Sequence, residues 1–291
     1  MQVLSMIAIR AVWALMSVRC SGPPQAGLAV LVVVGAVPGG VSLAASPCRY
    51  SADLEVTIDA AGIERVHIDA VEGGLAVHGH TDSNQIRATG KACAKSEAAV
   101  RQIQLLSRTE GSDVYVEAKI PSRGRMFANA TLDLKAAVPS RLALSVQDGT
   151  GEVLVRNVAA LQLRDGTGDI EIEGIPGDVS VTDGTGATVV RAIGGSLQVK
   201  DGTGPLSIRD VQGSVTVDDG TGEIKISEVG GDLRLRDGTG DMEIEGIAGS
   251  VDVRDGTGDI SISRVEGSLT LRNGTGGVKL TEVRGSVAVH D

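Results

Sequence analysis

The tetrapeptide Asp-Gly-Thr-Gly begins at Asp148, Asp165, Asp183, Asp201, Asp219, Asp237 and Asp255, and Asn273-Gly-Thr-Gly continues the series. The first interval is 17 residues and every later one is 18. So strict a period over half a chain restricts the architecture to stacked repeats. In the unit starting at Asp219, Glu223-Ile224-Lys225-Ile226 alternates polar and apolar residues, the pattern of a strand with one buried face. Val229 and the turn Gly230-Gly231 follow, then Leu233-Arg234-Leu235-Arg236 alternates up to Asp237. Apolar residues recur in five columns: Ile170, Ile172, Ile175, Val179 and Val181 in one unit, Ile260, Ile262, Val265, Leu269 and Leu271 in another. Thr188 stands in a normally apolar column.

A single unit cannot fold alone, because five aliphatic side chains do not offset the conformational entropy of eighteen residues. Coils that cover their neighbours and share backbone hydrogen bonds remove the deficit. Propeller blades need about 40 residues per repeat and leucine-rich repeats 20 or more, so neither fits. The expected fold is all-β: a parallel β-solenoid with 18-residue coils, eight repeats over residues 148–291, after a β-rich N-terminal cap region (46–147) with one short helix.

The repeated tetrapeptide reads as a corner. Its glycines allow positive φ where the chain bends, and its Asp can accept from nearby backbone amides. Asp148, Asp165, Asp183, Asp201, Asp219, Asp237, Asp255 and Asn273 are therefore assigned as structural turn residues. Stacked ionised carboxylates repel, so the column requires donors or a cation, and amide donors are expected. The alternative is a calcium-binding solenoid, since calcium β-rolls also wind 18 residues per coil. Against it, only one corner per coil carries Asp. The acid after the corner (Glu152, Asp169, Glu223, Asp241, Asp259) is replaced at Ala187, Pro205 and Gly277, and calcium asks for a regular oxygen set.

Residues 1–45 read as a signal peptide. Arg10 and Arg19 precede an apolar run from Gly27 to Val37 and the small-residue stretch Ser42–Ser46. Met16 would make a more ordinary start. The apolar run is short for a membrane span, which takes about 20 residues. Without the leader, 25 basic residues face 37 acidic ones, a net charge of −12. That balance argues against nucleic acid and anionic membranes as partners. Cys48 and Cys93 are an even pair in a chain expected to enter an oxidising compartment, so a disulfide is expected. Aromatics are 1% of the chain, which points to thin, uniform aliphatic layers.

Alternating runs before the repeat fall at Leu54–Ile58, around His67 and Ile68, at Leu75–His78, Val114–Ile120, Ala130–Leu134 and Leu142–Val146. Lys95 to Leu106 has spacing that suits one amphipathic helix. His67, His78 and His80 are the candidates for chemistry, and His78 and His80 share a strand face. No His or Cys is spaced to complete a metal site with them, and no nucleophile or phosphate-loop motif occurs. The chain is expected to be non-enzymatic, with no catalytic, cofactor-binding or metal residue and no cofactor.

Gly249-Ser-Val-Asp-Val-Arg-Asp-Gly-Thr-Gly-Asp-Ile-Ser-Ile262, and the lead-in Leu132-Asp-Leu-Lys-Ala-Ala-Val-Pro139 followed by Leu142-Ala-Leu-Ser-Val146, resemble the bacterial putative-adhesin β-solenoid domains, a family largely of unknown function. The resemblance covers residues 49–291 and implies a solenoid without catalytic residues. The leading expectation is an exported protein of the periplasm or cell envelope, or a secreted one, whose rod face binds a macromolecule of the envelope or surface. A self-assembling structural element, similar to the bactofilin polymers, is the alternative, with self-association through an open C-terminal coil. A polysaccharide-active enzyme is disfavoured because the array has no insertions to wall a groove.

Overall fold

The computed structural model describes residues 48–121 and 129–290. The expected leader lies outside them. The N-terminal segment comprises β1 (Tyr50–Asp59), β2 (Arg65–Asp69), β3 (Leu75–His80), β4 (Gln85–Ala94), the single-turn α1 (Glu97–Val100), β5 (Gln104–Glu110), β6 (Asp113–Lys119) and β7 (Thr131–Pro139). The array follows as β8 (Ala143–Gln147), β9 (Val153–Arg156), β10 (Ala160–Arg164), β11 (Ile170–Ile175), β12 (Val179–Thr182), β13 (Thr188–Ile193), β14 (Leu197–Thr203) and β15 (Leu206–Val211). It ends with β16 (Val215–Thr221), β17 (Ile224–Val229), β18 (Leu233–Arg236), β19 (Met242–Ile247), β20 (Val251–Thr257), β21 (Ile260–Val265), β22 (Leu269–Thr275), β23 (Val278–Val283) and β24 (Val287–His290).

From β8 onward, even-numbered strands form one sheet and odd-numbered strands the other, every pair parallel. The fold is a parallel β-solenoid. Successive units pair without slippage: Leu161, Val179, Leu197, Val215, Leu233, Val251 and Leu269 are consecutive partners in the even sheet. Ile170, Thr188, Leu206, Ile224, Met242 and Ile260 do the same in the odd sheet. These columns are almost fully buried, so a one-residue slip would turn an apolar column to water. The 17-residue first interval loses its residue at the second corner: Val158 and Leu161 are three apart where Ile175 and Val179 are four apart.

The spacing of the inward residues (Ile170, Ile172, then Ile175) breaks strict alternation, and the backbone shows why. Asn157, Ala192, Asp210, Glu228, Arg264 and Glu282, each just before the third inward residue of its strand, sit at φ of 55–58°, and Gly174 and Gly246 fill the same place at 71°. One left-handed residue per coil swings the chain so that Val158, Ile175, Ile193, Val211, Val229, Ile247 and Val265 turn inward again. At the Asp corner the constraint is steric. Gly186 has φ of 153°, and a Cβ there would overlap the carbonyl oxygen of Gly168 one coil below.

The segment before the repeat enters the same two sheets out of chain order. β2 pairs in parallel with β8 on one side and β6 on the other, and β3 does so with β9 and β7. Thus 65–80 is a coil lying between the coil built from β6 and β7 and the first coil of the array. β4 then adds antiparallel to β7 and β1 antiparallel to β4, and β5 adds antiparallel to β6. A disulfide joins Cys48 and Cys93, Cα atoms 5.3 Å apart, tying the start of β1 to the end of β4. Arg141 donates to the carbonyls of Ile63 and Ala60 at 2.7 and 2.8 Å and to Asn84 at 2.6 Å, holding the crossover from β7 to β8 against this end.

The helix over Lys95–Leu106 shrinks to one turn, capped by Ser96 Oγ accepting from Ala99 N–H at 3.2 Å. From Gln104 the chain pairs with β6 instead. The tight turn at Gly111 (φ 61°) and burial of Leu105 opposite Ala118 favour the hairpin over continued helix.

Two substitutions separate the constraints. Gly186→Ala should lower unfolding stability by at least about 1–3 kcal/mol, from backbone strain. Ala192→Gly should raise it by roughly 1 kcal/mol, because an L-residue no longer occupies the left-handed region. Urea unfolding of both variants checks the signs.

Candidate functional site

The corner Asp column is the most concentrated chemistry in the rod. Asp148, Asp165, Asp183, Asp201, Asp219 and Asp237 are only 5–9% exposed. Strand register places them one above another, as in Asp201 against Asp219 and Asp255 against Asn273. Expected amide donors are only partly there. Asp165 Oδ1 accepts from Gly166 N–H at 2.7 Å and Asp219 Oδ1 from Gly220 N–H at 2.8 Å. Neither carboxylate oxygen of Asp148, Asp201, Asp237 or Asp255 has an aligned donor, and Asp165 and Asp219 each keep one such oxygen.

Burial therefore dominates their titration. It pushes Asp148 and Asp219 up to about 7 and Asp165, Asp201 and Asp237 up to about 6. Neighbouring carboxylates add to the rise, while corner amides lying close but off-axis oppose it. Asp183 is also raised by burial, and the Thr188 hydroxyl, 3.4 Å from its Oδ2, pulls it back. Thr188, fully buried in its apolar column, is thus the hydroxyl donor to its own corner.

The acids just outside the corner behave differently. Asp169, Asp241 and Asp259 accept the amide of the residue 18 positions on: Ala187 at 2.9 Å, Asp259 at 2.9 Å and Gly277 at 2.7 Å. A second ladder runs along the opposite corner. Asp178 accepts from Ser196 N–H at 2.8 Å, Ser214 Oγ from Asp232 N–H at 3.1 Å, and Asp232 from Ser250 N–H at 2.8 Å. These exposed acids and hydroxyls join rung to rung. Among the described residues, no three His, Cys, Asp or Glu side chains converge as metal ligands.

The outer face of the even-numbered sheet carries a second arrangement. Its central column begins with Tyr115 and His67, whose rings stack at 4.5 Å with planes 9° apart. Arg108 lies over Tyr115 at 3.8 Å, and His67 Nε2 is 3.3 Å from Asp113. The column continues through Ser145, Gln162, Ser180, Gln198 and Thr216. Five successive rungs thus present uncharged hydroxyls and amides, and Arg234 and Asp252 follow. Gln162, Ser180 and Gln198, with Arg164, Thr182 and Lys200 beside them, line a shallow depression of about 170 Å³. On the odd-numbered sheet's outer face, Arg156 and Arg191 bracket Glu171 and Glu173, a solvated mixed-charge surface.

His78 is exposed, and His80 Nε2 lies 3.0 Å from the Gln85 carbonyl. The uncharged column was missed in the sequence reading because it is not periodic in residue type, although register written out from the repeat would have revealed it.

No family model and no curated protein matches the chain. Among solved structures, it is similar to a "putative cell adhesion protein" from Clostridium sporogenes, at 10% identity and a TM-score of 0.35, over 82% of this chain and 98% of the other. It is similar also to a "putative adhesin" from Bacteroides fragilis, at 15% identity and 0.33, over 84% and 99%. A third is a "putative lipid binding protein" from Parabacteroides distasonis, at 9% identity and 0.36, over 82% and 97%.

Thr188→Val should move the Asp183 titration midpoint upward, since its side-chain donor is removed while burial is unchanged. Carboxyl-carbon NMR titration of the labelled protein reads the shift directly.

Proposed function

We propose that this is an exported, non-enzymatic envelope or surface protein that binds a hydroxyl-rich macromolecule along the outer face of its even-numbered sheet. The observation that carries the reading is the run Ser145, Gln162, Ser180, Gln198 and Thr216, side chains that both donate and accept hydrogen bonds. They lie on five consecutive rungs, flanked by the Tyr115–His67 stack. Rungs spaced about 4.8 Å apart suit an extended, repetitive ligand better than a compact one. In a chain of net charge −10, an uncharged lane limits repulsion of an anionic envelope component. A disulfide between Cys48 and Cys93 is consistent with an oxidising compartment, and with it cleavage of residues 1–45.

Retention of the full-length folded protein on insoluble envelope polysaccharide tests the reading. The double variant Gln162→Glu with Gln198→Glu should bind at least about tenfold more weakly, about 1.4 kcal/mol, with an unchanged melting temperature. Ser207→Glu, on the opposite sheet, should bind like the parent. Equal retention of all three proteins would refute the assignment of the face.

A further inference from the structure

We infer that the corner column is a row of proton-binding sites: in the folded rod at mildly acidic pH its Asp side chains are held as neutral acids donating to corner carbonyls. Three observations carry this. First, the carboxylates are buried, stacked in register and left with orphan oxygens. An ionised group so placed has little solvent and few aligned donors to hold its charge, whereas a protonated one becomes a donor in its own right.

Second, the charged groups acting on the column are themselves carboxylates. Asp148 faces Asp165 and Asp69. Asp165 faces Asp183, and Asp183 faces Asp169. Asp201 faces Asp183, Asp219 faces Asp201 and Asp237, Asp237 faces Asp255, and Asp255 faces Asp241. The basic residues of the adjoining column, Arg164, Lys200, Arg236 and Arg254, are exposed on the outer face.

Third, the position in register beyond each end of the Asp run is held by an uncharged residue. Asn273, the amide counterpart of a neutral Asp, donates Nδ2–H to the Gly276 carbonyl at 3.2 Å. Each Asp of the column has a glycine carbonyl at that same +3 position: Gly204 for Asp201, Gly222 for Asp219. At the other end, the register that pairs Asp69 with Gln147 sets buried Ala70 against Asp148. A divalent cation would need six or more oxygens around it, and among the described residues no three His, Cys, Asp or Glu side chains converge as ligands. Protons need no cavity.

The sign follows from linkage. Folded-state carboxyls raised above their unfolded value near 3.8 bind protons that the unfolded chain releases. Their stabilising contribution is complete below about pH 4 and is lost as pH rises through about 6 to 7. The rod should be more stable at pH 5 than at pH 8, opposite to the usual acid destabilisation.

The test is urea unfolding of the full-length protein from pH 5 to pH 8, alongside Asp201→Asn with Asp219→Asn and the exposed control Asp218→Asn. The parent midpoint should fall across that range. The double variant should show a shallower fall and a higher midpoint at pH 8, and the control should follow the parent. Infrared spectra of the native parent should show a protonated-carboxyl C=O band at pH 5 that is lost by pH 8, a readout that stands even if the double variant does not fold. A parent midpoint that is flat or rises toward pH 8, absence of the band, or restoration of pH 8 stability by calcium chloride and its loss with chelator would each overturn the inference.

Discussion

Parallel stacking in unbroken register governs this molecule. Because each coil lands on the last with no offset, every position of the repeat is stacked against its own equivalent along the rod. Whatever a column contains must therefore tolerate its own company about 4.8 Å away. Branched aliphatics do, which is why Val, Ile and Leu fill the inward columns and aromatics are unnecessary. Glycine does at the Asp corner, where the next coil's backbone occupies the Cβ position. Charge tolerates it least.

The rod resolves charge differently inside and out. Outside, columns mix signs, so Arg264 reaches Glu245 at 2.9 Å and Glu228 at 3.2 Å, pairs worth little individually. Exposed acids such as Asp169, Asp232 and Asp259 accept hydrogen bonds from backbone amides of the following coil. Inside the corner neither solution is available to most of the column, and burial raises the carboxyls so that they keep their protons into mildly acidic pH. The same geometry that penalises a column of buried anions also makes a flat, uncharged lane such as Ser145 to Thr216 possible on the outer face.

Legibility in the sequence tracks how repetitive each feature is. The coil length, the inward columns and the corner could be read directly, since eight near-copies average out local exceptions such as Thr188. β4 escaped notice because its inward residues, Ile86, Ala88, Gly90 and Ala92, include only one large aliphatic. The left-handed position escaped because Asn157, Ala192, Asp210, Glu228, Arg264 and Glu282 share a backbone conformation and no side-chain chemistry. The placing of 65–80 between 113–139 and the array follows from tertiary packing, which a linear pattern does not encode. The Asp column was visible in position, but its protonation was not, because burial of the carboxylate oxygens depends on the coils above and below.

Register itself can be measured with pairs of nitroxide labels along the outer column of the even-numbered sheet. Gln162 paired with Arg234 spans four steps of 18 residues, and Gln162 with Thr270 spans six. Pulsed electron spin resonance should return distances near 19 and 29 Å, a constant increment of about 4.8 Å per step. Distances that fail to grow in proportion to the number of steps, as hairpins or antiparallel pairing would give, would contradict the stacked coil and everything built on it.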